Sequence, residues 1–373
     1  MARTLNIAVD ARPLSYPLTG IGNYVKFLLE ALQQQDQSNN YFLISNGPIR
    51  FDPANPRWTK IEGSITKKLL STLWMQVFGP LAVIRNQIDL FWSPRHHLPI
   101  LLPPRTPAIL TIHDLTHRFY PETMARANLW VERLLMPVSA RRAQRVVTDA
   151  RATARDLADD MHIPAAKIRV VAPGPPSLPD EKDRPGAPDT LDLPKDYFLF
   201  VGTLDPRKNF SGLFAAFAEL NPDENNLHLV IVGGAGWKND HFHSMLKGHP
   251  AATHLHFTGY VPRRQLRKIY QDALALVFPS LYEGFGFPIL EAMAAGTPVI
   301  TSDRSSLPEV AGEGAILVDP HDTAALTRAM EQVRTSPQLR RELIDRGHRQ
   351  LRIFTWEKAA RHMQTMFYEV AGP

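Results

Sequence analysis

Two doubly wound α/β domains are what this sequence predicts, and three observations predict them. The chain has 373 residues, more than one hydrophobic core usually serves. Short apolar, β-branched runs alternate with helix-period stretches, as parallel strands buried on both faces do. Between the halves, Pro173 to Pro194 holds seven prolines in 22 residues, which suits a linker and not a core. The expected division is therefore 1–172, a linker at 173–194, a second domain at 195–354, and a terminal segment at 355–373.

Each element has its own signal. In the first half, Asn6–Asp10, Tyr41–Ser45, Ile88–Trp92, Ala108–Ile112 and Arg145–Thr148 read as strands. In the second half the strands are Tyr197–Val201, His228–Val232, His254–Thr258, Ala273–Phe278, Pro298–Ile300 and Ala315–Val318. Helices are expected from near Asn23, over Phe210–Leu220, and from Pro337 to Gly372, where Trp356, Met363, Met366 and Phe367 form an apolar stripe. Ligands of such sheets sit beyond the carboxyl ends of the strands.

Composition narrows the chemistry. With no cysteine, disulfides, thiolate metal sites and a cysteine nucleophile are excluded. Met1 to Asp10 carries no apolar stretch with a cleavage site, so no signal peptide is expected, and no apolar run approaches the roughly 18 residues of a membrane span. The expected location is cytoplasmic. Residues 1–172 hold 21 Lys and Arg against 13 Asp and Glu, whereas residues 173–373 hold 21 against 24. A basic half can meet a phosphorylated ligand, an anionic membrane surface or nucleic acid. Basic repeats with interleaved aromatics and zinc spacing are missing, so nucleic acid is not an expected partner.

Several motifs fall at strand ends. Gly20, Ile21 and Gly22 follow the first strand, where backbone N–H groups can approach a phosphate or sugar; a purely structural turn fits equally, and G-x-G-x-x-G is absent. His113 closes the Ala108–Ile112 strand, where an imidazole can contact a hydroxyl or phosphate oxygen; a structural histidine fits as well. His96, His97 and His117 add no defensible metal spacing. Thr203, Asp205, Arg207 and Lys208 follow the strand Tyr197–Val201. Adjacent cations at a helix start oppose its dipole, which suggests an anion there, unless the turn is simply solvated. The densest signal is Glu283-Gly-Phe-Gly-Phe-Pro-Ile-Leu-Glu291, with Pro288 suited to the first helical position and Glu291 to the first turn. Both carboxylates can then meet one ligand, or Glu291 merely complements the dipole while Glu283 caps the turn.

In order and spacing, Phe200–Asn209, Leu229–Gly234, Phe257–Val261 and Glu283–Val299 resemble the family-4 retaining glycosyltransferases of GT-B architecture, as do Asp10–Tyr24 and Ile112–Pro121. The resemblance implies two Rossmann-like domains with a cleft between them, and a terminal helix, 355–373, that crosses back to the first. It implies that Glu291 binds the ribose, Glu283 the transferred hexose, and the Phe285, Gly286, Phe287 and Pro288 segment the sugar hydroxyls and phosphates. Lys208 and Arg207 would hold the diphosphate, His113 would contact the hexose, and Gly20, Ile21 and Gly22 would close over the phosphates. Tyr260 and Val261 would hold the nucleobase. Thr203 stands where many relatives carry a second arginine. No D-x-D occurs in the chain, so neither a metal nor any other cofactor is expected beyond the nucleotide-sugar donor.

The same resemblance points to bacterial mannosyltransferases of polysaccharide and O-antigen assembly, hence to GDP-mannose, with related GDP-deoxyhexoses and UDP-glucose as other donors. The acceptor would be a glycan or lipid-linked oligosaccharide. The alternatives are a GT-B-shaped nucleotide-sugar epimerase and a non-catalytic nucleotide-sugar-binding protein. One segment bears on the acceptor. Thr66 to Arg85 sets Leu70, Trp74, Val77 and Phe78 on one helical face beside Lys67, Lys68 and Arg85, which suits an interfacial helix on the inner face of the cytoplasmic membrane. Met75, Val83 and Ile84 widen that face, so a helix buried against the first sheet fits too.

Overall fold

The computed structural model describes residues 3–18, 20–65, 68–178, 191–234 and 246–372. Thr19, Thr66, Lys67 and linker residues 179–190 lie outside them. The chain divides into two compact units, the first made of Met1–His117, Arg126–Gly174 and Phe354–Pro373, the second of Arg118–Ala125 and Pro175–Ile353. Residues 118–125, read from the sequence as part of the first domain, pack with the second unit.

Each unit is built on one parallel sheet. In the first, β1 (Asn6–Asp10), β2 (Asn40–Ser45), β3 (Trp58–Glu62), β4 (Leu90–Ser93), β5 (Ala108–Thr111), β6 (Arg145–Thr148) and β7 (Ile168–Val170) lie in the order 3-2-1-4-5-6-7. In the second, β8 (Tyr197–Val201), β9 (His228–Val232), β10 (Leu255–Gly259), β11 (Ala275–Phe278), β12 (Val299–Ser302) and β13 (Ala315–Val318) lie in the order 10-9-8-11-12-13. Both sheets are doubly wound, with the strand order reversing between β1 and β4 and between β8 and β11. Central strands β4, β5, β8 and β11 are buried at every position, which is why they read as unbroken apolar runs. β3 and β7 escaped the sequence reading: Trp58-Thr-Lys-Ile-Glu alternates with polar residues, and β7 has three residues, two of them exposed.

Among the described residues, the helices of nine or more residues are α1 (Gly20–Gln35), α2 (Lys68–Arg85), α3 (Arg126–Arg142), α4 (Arg151–Asp160), α5 (Phe210–Ala218), α6 (Arg263–Asp272), α7 (Phe287–Ala295), α8 (Thr323–Thr335), α9 (Pro337–Leu351) and α10 (Trp356–Ala371). Three boundaries correct or refine the sequence reading. α1 begins at Gly20 and not near Asn23, so the glycine pair lies in the first helical turn. The helical stretch from Pro337 to Gly372 is divided into α9 and α10, the second capped by Thr355 Oγ1 accepting from the Lys358 N–H at 3.2 Å. α7 begins at Phe287 behind the left-handed Gly286 (φ 112°), so Pro288 is its second residue and Glu291 its fifth, beyond the first turn.

α10 belongs to the first unit. Its stripe Ala359, Ala360, Met363, Met366 and Phe367 is buried, and Trp356 packs on Phe27 and Tyr24 of α1 at 5.7 and 5.9 Å between ring centroids. Gly174, where the first unit ends, fits under Trp356 so closely that a Cβ there would lie 2.6 Å from the Trp356 nitrogen.

Candidate functional site

In the second unit the site grows from the two strands that flank the reversal of strand order. Gly202 follows β8 and Gly233 follows β9, and the two backbones come so near that a Cβ on Gly233 would lie 1.9 Å from the Gly202 carbonyl oxygen; only glycine fits there. The chain then makes a single 3₁₀ turn, Pro206–Lys208, capped by Asp205 Oδ1, which accepts from the Arg207 N–H at 3.1 Å. Asn209, left-handed at φ 60°, caps α5 through its own side chain. This turn delivers Arg207 and Lys208. From the end of β11, the loop Pro279–Gly286 delivers Glu283.

Arg207, Lys208 and Glu283 come together. Lys208 Nζ donates to Glu283 Oε1, and Arg207 Nη1 donates to Glu283 Oε2 at 3.0 Å and to the Tyr282 carbonyl at 2.9 Å. The two cations at the start of α5 therefore have an anion of their own, and the dipole cost that suggested a ligand is met by Glu283. Burial raises the Glu283 pKa, but Lys208 and Arg207 outweigh burial and hold it below the ordinary value. Lys208 is pushed down by burial, with Arg207 adding to the fall and Glu283 resisting it. The Glu283 carbonyl accepts from Ser305 Oγ at 2.6 Å and Ser306 Oγ at 2.9 Å, and Ser306 Oγ also reaches the Phe285 carbonyl at 2.8 Å, so the loop is fixed from behind.

Glu291 faces other partners. Tyr270 Oη donates to Oε2 at 2.9 Å and Arg263 Nη2 to Oε1 at 3.1 Å, both from α6. Burial lifts its pKa above the ordinary value, and Arg263 and Tyr270 offset this only in part. Arg263 also binds the Ser177 carbonyl at 2.9 Å. Of the other predicted residues in this unit, Thr203 and Tyr260 are exposed, Val261 and Phe285 are buried, and Phe287 and Pro288 are half-buried. Sequence reasoning missed Arg263 and Tyr270; the Arg263-Arg264 pair directly after Pro262, at a helix start, was the available signal.

In the first unit, Gly20, Ile21 and Gly22 are the first three residues of α1, where backbone N–H groups have no acceptor within the helix. Gly22 is the constrained one: a Cβ there would meet Leu18 Cδ2 at 3.1 Å and the Pro13 carbonyl at 3.3 Å. His113 follows β5 and is buried, its Nδ1 2.6 Å from Asp149 Oδ2 and its Nε2 3.1 Å from the Pro94 carbonyl. Beside it, Glu132 lies 3.2 Å from His96 Nδ1 and 3.0 Å from His97 Nε2. Burial alone would raise the Glu132 pKa; the two imidazoles bring it well below the ordinary range. Asp10 and Arg12 of the opening motif form a buried bidentate pair at 2.8 and 2.6 Å, which braces the end of β1. Among the described residues no group of three or more His, Cys, Asp or Glu side chains could hold a metal ion.

Comparison with known proteins decides the family. "Glycosyltransferase Family 4" matches residues 18–175, and "Glycosyl transferases group 1" matches residues 187–350. The chain belongs to the family-4 glycosyltransferases. O-antigen chain mannosyltransferase B of Escherichia coli is 29% identical to this glycosyltransferase over 95% of the chain and 97% of its own length. O-antigen chain mannosyltransferase RfbU of Salmonella typhimurium is 30% identical over 65% of the chain and 64% of its own length. The solved sucrose-phosphate synthase of Thermosynechococcus elongatus shares the fold, GT-B, at a TM-score of 0.75 and 23% identity, covering 98% of each chain.

The first unit of the glycosyltransferase also carries an apolar face that its own core does not cover. Trp74, placed by its spacing on one face with Leu70, Val77 and Phe78, is buried with Met75 and Val83, whereas Leu70, Leu73, Val77, Phe78, Leu81 and Ile84 are exposed. α2 therefore serves the core with one face and leaves the other bare. Trp130, Leu134 and Val138 of α3 are exposed as well, and between the helices lie Ile100 and Leu101. That connection is held to both: Gln76 Oε1 accepts from the Ile100 N–H at 2.6 Å, and Ser139 Oγ from the Leu98 N–H at 2.9 Å. Among the described residues no helix is long and apolar enough to cross a membrane.

Proposed function

We propose that the enzyme transfers mannose from GDP-mannose, with retention of anomeric configuration, to a glycan or lipid-linked oligosaccharide acceptor. The observation that carries this reading is the cluster of Lys208, Arg207 and Glu283 at the carboxyl ends of β8 and β11, where doubly wound sheets take their ligands. Lys208 and Arg207 offer charge to the diphosphate, Glu283 accepts from hydroxyls of the hexose, and Glu291 accepts from the ribose. The names of the two O-antigen relatives support mannose. Glu283 is neutralised by two cations and is a poor nucleophile, which favours a route in which the leaving diphosphate takes the acceptor proton on the face it vacates. The protein then contributes positioning and stabilises negative charge on the leaving group, without a metal.

A melting screen across nucleotide sugars tests the donor, since a ligand at 100 times its dissociation constant adds about 2.7 kcal/mol. Guanosine donors are expected to raise the melting temperature; a rise with uridine donors alone overturns the assignment. Incubation with labelled GDP-mannose then yields a transfer product of unchanged anomeric configuration, against epimerised donor or binding without turnover.

The bare face of α2, Ile100, Leu101 and α3 is the membrane-facing side of the same proposal. α2 has no acidic residue, and the only one on α3 is Glu132, which is engaged with His96 and His97. Arg126, Arg133, Arg141 and Arg142 border it, and each cation near an anionic surface contributes about 1 kcal/mol. Flotation with anionic vesicles at low salt is the test. Binding should weaken with salt and fall in a Trp130→Glu variant and in a Lys67→Glu, Lys68→Glu variant; equal binding to neutral vesicles refutes it.

A further inference from the structure

His113 is held at four points, and each has a different source. Its backbone N–H donates to His96 Nε2 at 3.3 Å, and its carbonyl accepts from Thr153 Oγ1 at 3.2 Å. Those two contacts fix the main chain after β5 without help from the ring. The imidazole has an oxygen near each nitrogen, Asp149 Oδ2 at 2.6 Å from Nδ1 and the Pro94 carbonyl at 3.1 Å from Nε2. Asp149 is the residue after β6 with only 2% of its surface exposed, and its second carboxylate oxygen is buried with no hydrogen-bond partner. A buried carboxylate with an unmet oxygen is costly and calls for an explanation. It is not needed to anchor the His113 backbone, which others hold.

We propose that Asp149 is a positioning residue for sugar transfer, fixing the His113 ring with Nδ1 as a donor and Nε2 directed to the side of the Pro94 carbonyl. The inference rests on the reading of His113 as the residue that meets the transferred hexose. A carboxylate has no proton to give in its ionised form, so Nδ1 must carry the hydrogen; Nε2 is then an acceptor, which a carbonyl cannot satisfy and a hydroxyl of the ligand can, by donating to it. Tyr24 of α1 supports the same geometry. Its ring meets the imidazole edge-on at 4.8 Å between centroids, and burial, with the Asp149 charge adding to it, pushes its phenol well above the ordinary pKa. The groups that face the ring are therefore Asp149 after β6, Tyr24 from α1, and His96 after β4, whose ring lies 5.7 Å away. Tyr24 also lies one turn beyond Gly20–Gly22, so the glycine turn and the imidazole share a support. The signal was available in the sequence: Thr148-Asp149 ends a strand as Ile112-His113 does.

The test is a mutant cycle on the full chain: wild type, Asp149→Asn, His113→Ala and the double variant, with transfer kinetics and imidazole ¹⁵N resonances. An asparagine can turn its amide toward Nδ1 and favour the other tautomer. Asp149→Asn should lower kcat about 100-fold, the order of loss that misplacing a group by an ångström brings, with donor KM changed less than about twofold. The double variant should be no slower than His113→Ala, because a residue that acts through another has nothing left to position. The His113 Nδ1 resonance should move in Asp149→Asn. Losses that multiply in the double variant, or an unmoved resonance, overturn the proposal. His113→Ala with full transfer activity would defeat the reading of His113 itself, and the resonance would still decide whether Asp149 holds the ring. If Asp149→Asn does not fold, Asp149→Ser carries the same resonance test.

Discussion

Glu283 and Glu291 lie on one passage of chain and are buried alike, at 7% and 5% exposure, yet their surroundings push them in opposite directions. Glu283 faces Lys208 and Arg207, whose charges overcome burial and hold it ionised. Glu291 faces one arginine and a phenol, and burial prevails. Depth alone does not set the charge of a buried carboxylate; the count and geometry of opposing charges do. The Glu283 region is a compensated ion cluster, and the Glu291 region a hydrogen-bonded carboxylate whose pKa burial raises.

The largest effect that can break this contrast is the loss of Glu283. Glu283→Gln leaves buried Lys208 without its hydrogen-bonded carboxylate and Arg207 with Asp205, and breaking a buried pair costs about 3 to 5 kcal/mol. Denaturant unfolding should show that loss, while GDP affinity by calorimetry should not fall. Equal losses of GDP affinity in Glu283→Ala and Glu291→Ala would place both carboxylates on the nucleotide and end the distinction. Next is Glu291→Ala, which should weaken GDP by about 10- to 100-fold if a charged hydrogen bond to the ribose is lost.

The pH dependence sharpens the contrast further. Glu283, with its folded pKa depressed, adds stability that is present above its unfolded value and lost as pH falls through the folded one. Glu291, with its folded pKa raised, does the reverse: it opposes stability above that value and regains it as pH falls through it. Between pH 7 and 3, Glu283→Gln should therefore flatten the loss of stability in acid, and Glu291→Gln should steepen it. Parallel curves for both variants would refute the assignment. The smallest expected effect is that of a chelator, which should leave transfer unchanged; a strict requirement for Mg²⁺ would argue against a diphosphate site built from Lys208 and Arg207 alone.

Much of this was legible in the sequence, for a physical reason. Central parallel strands announce themselves because both their faces must be apolar, and Arg207, Lys208 and Glu283 follow such strands directly. Edge strands β3 and β7 do not, since one side of each meets solvent. Partners were less legible than positions. That Glu283 would answer Lys208 depends on β8 and β11 lying side by side, and that Arg263 and Tyr270 would reach Glu291 depends on how α6 packs against α7. The face of α2 misled for a related reason: Trp74 and Phe78 lie one turn apart and stack at 5.0 Å, and only the tertiary packing sends the first inward and leaves the second bare.

The octapeptide Arg118–Ala125 carries a consequence for ancestry. Its flanks belong to the first unit, while Phe119 and Tyr120 pack on Tyr282, the neighbour of Glu283, at 5.2 and 5.9 Å. With the return at Phe354, the backbone passes from one unit to the other four times and not once. A gene spliced at the linker would inherit a first half whose aromatic pair has lost its seat and a second half still trailing α10. The second unit cannot be traded among relatives by one crossover without these losses, and recombination should instead favour exchanges of whole chains or of short stretches within one unit.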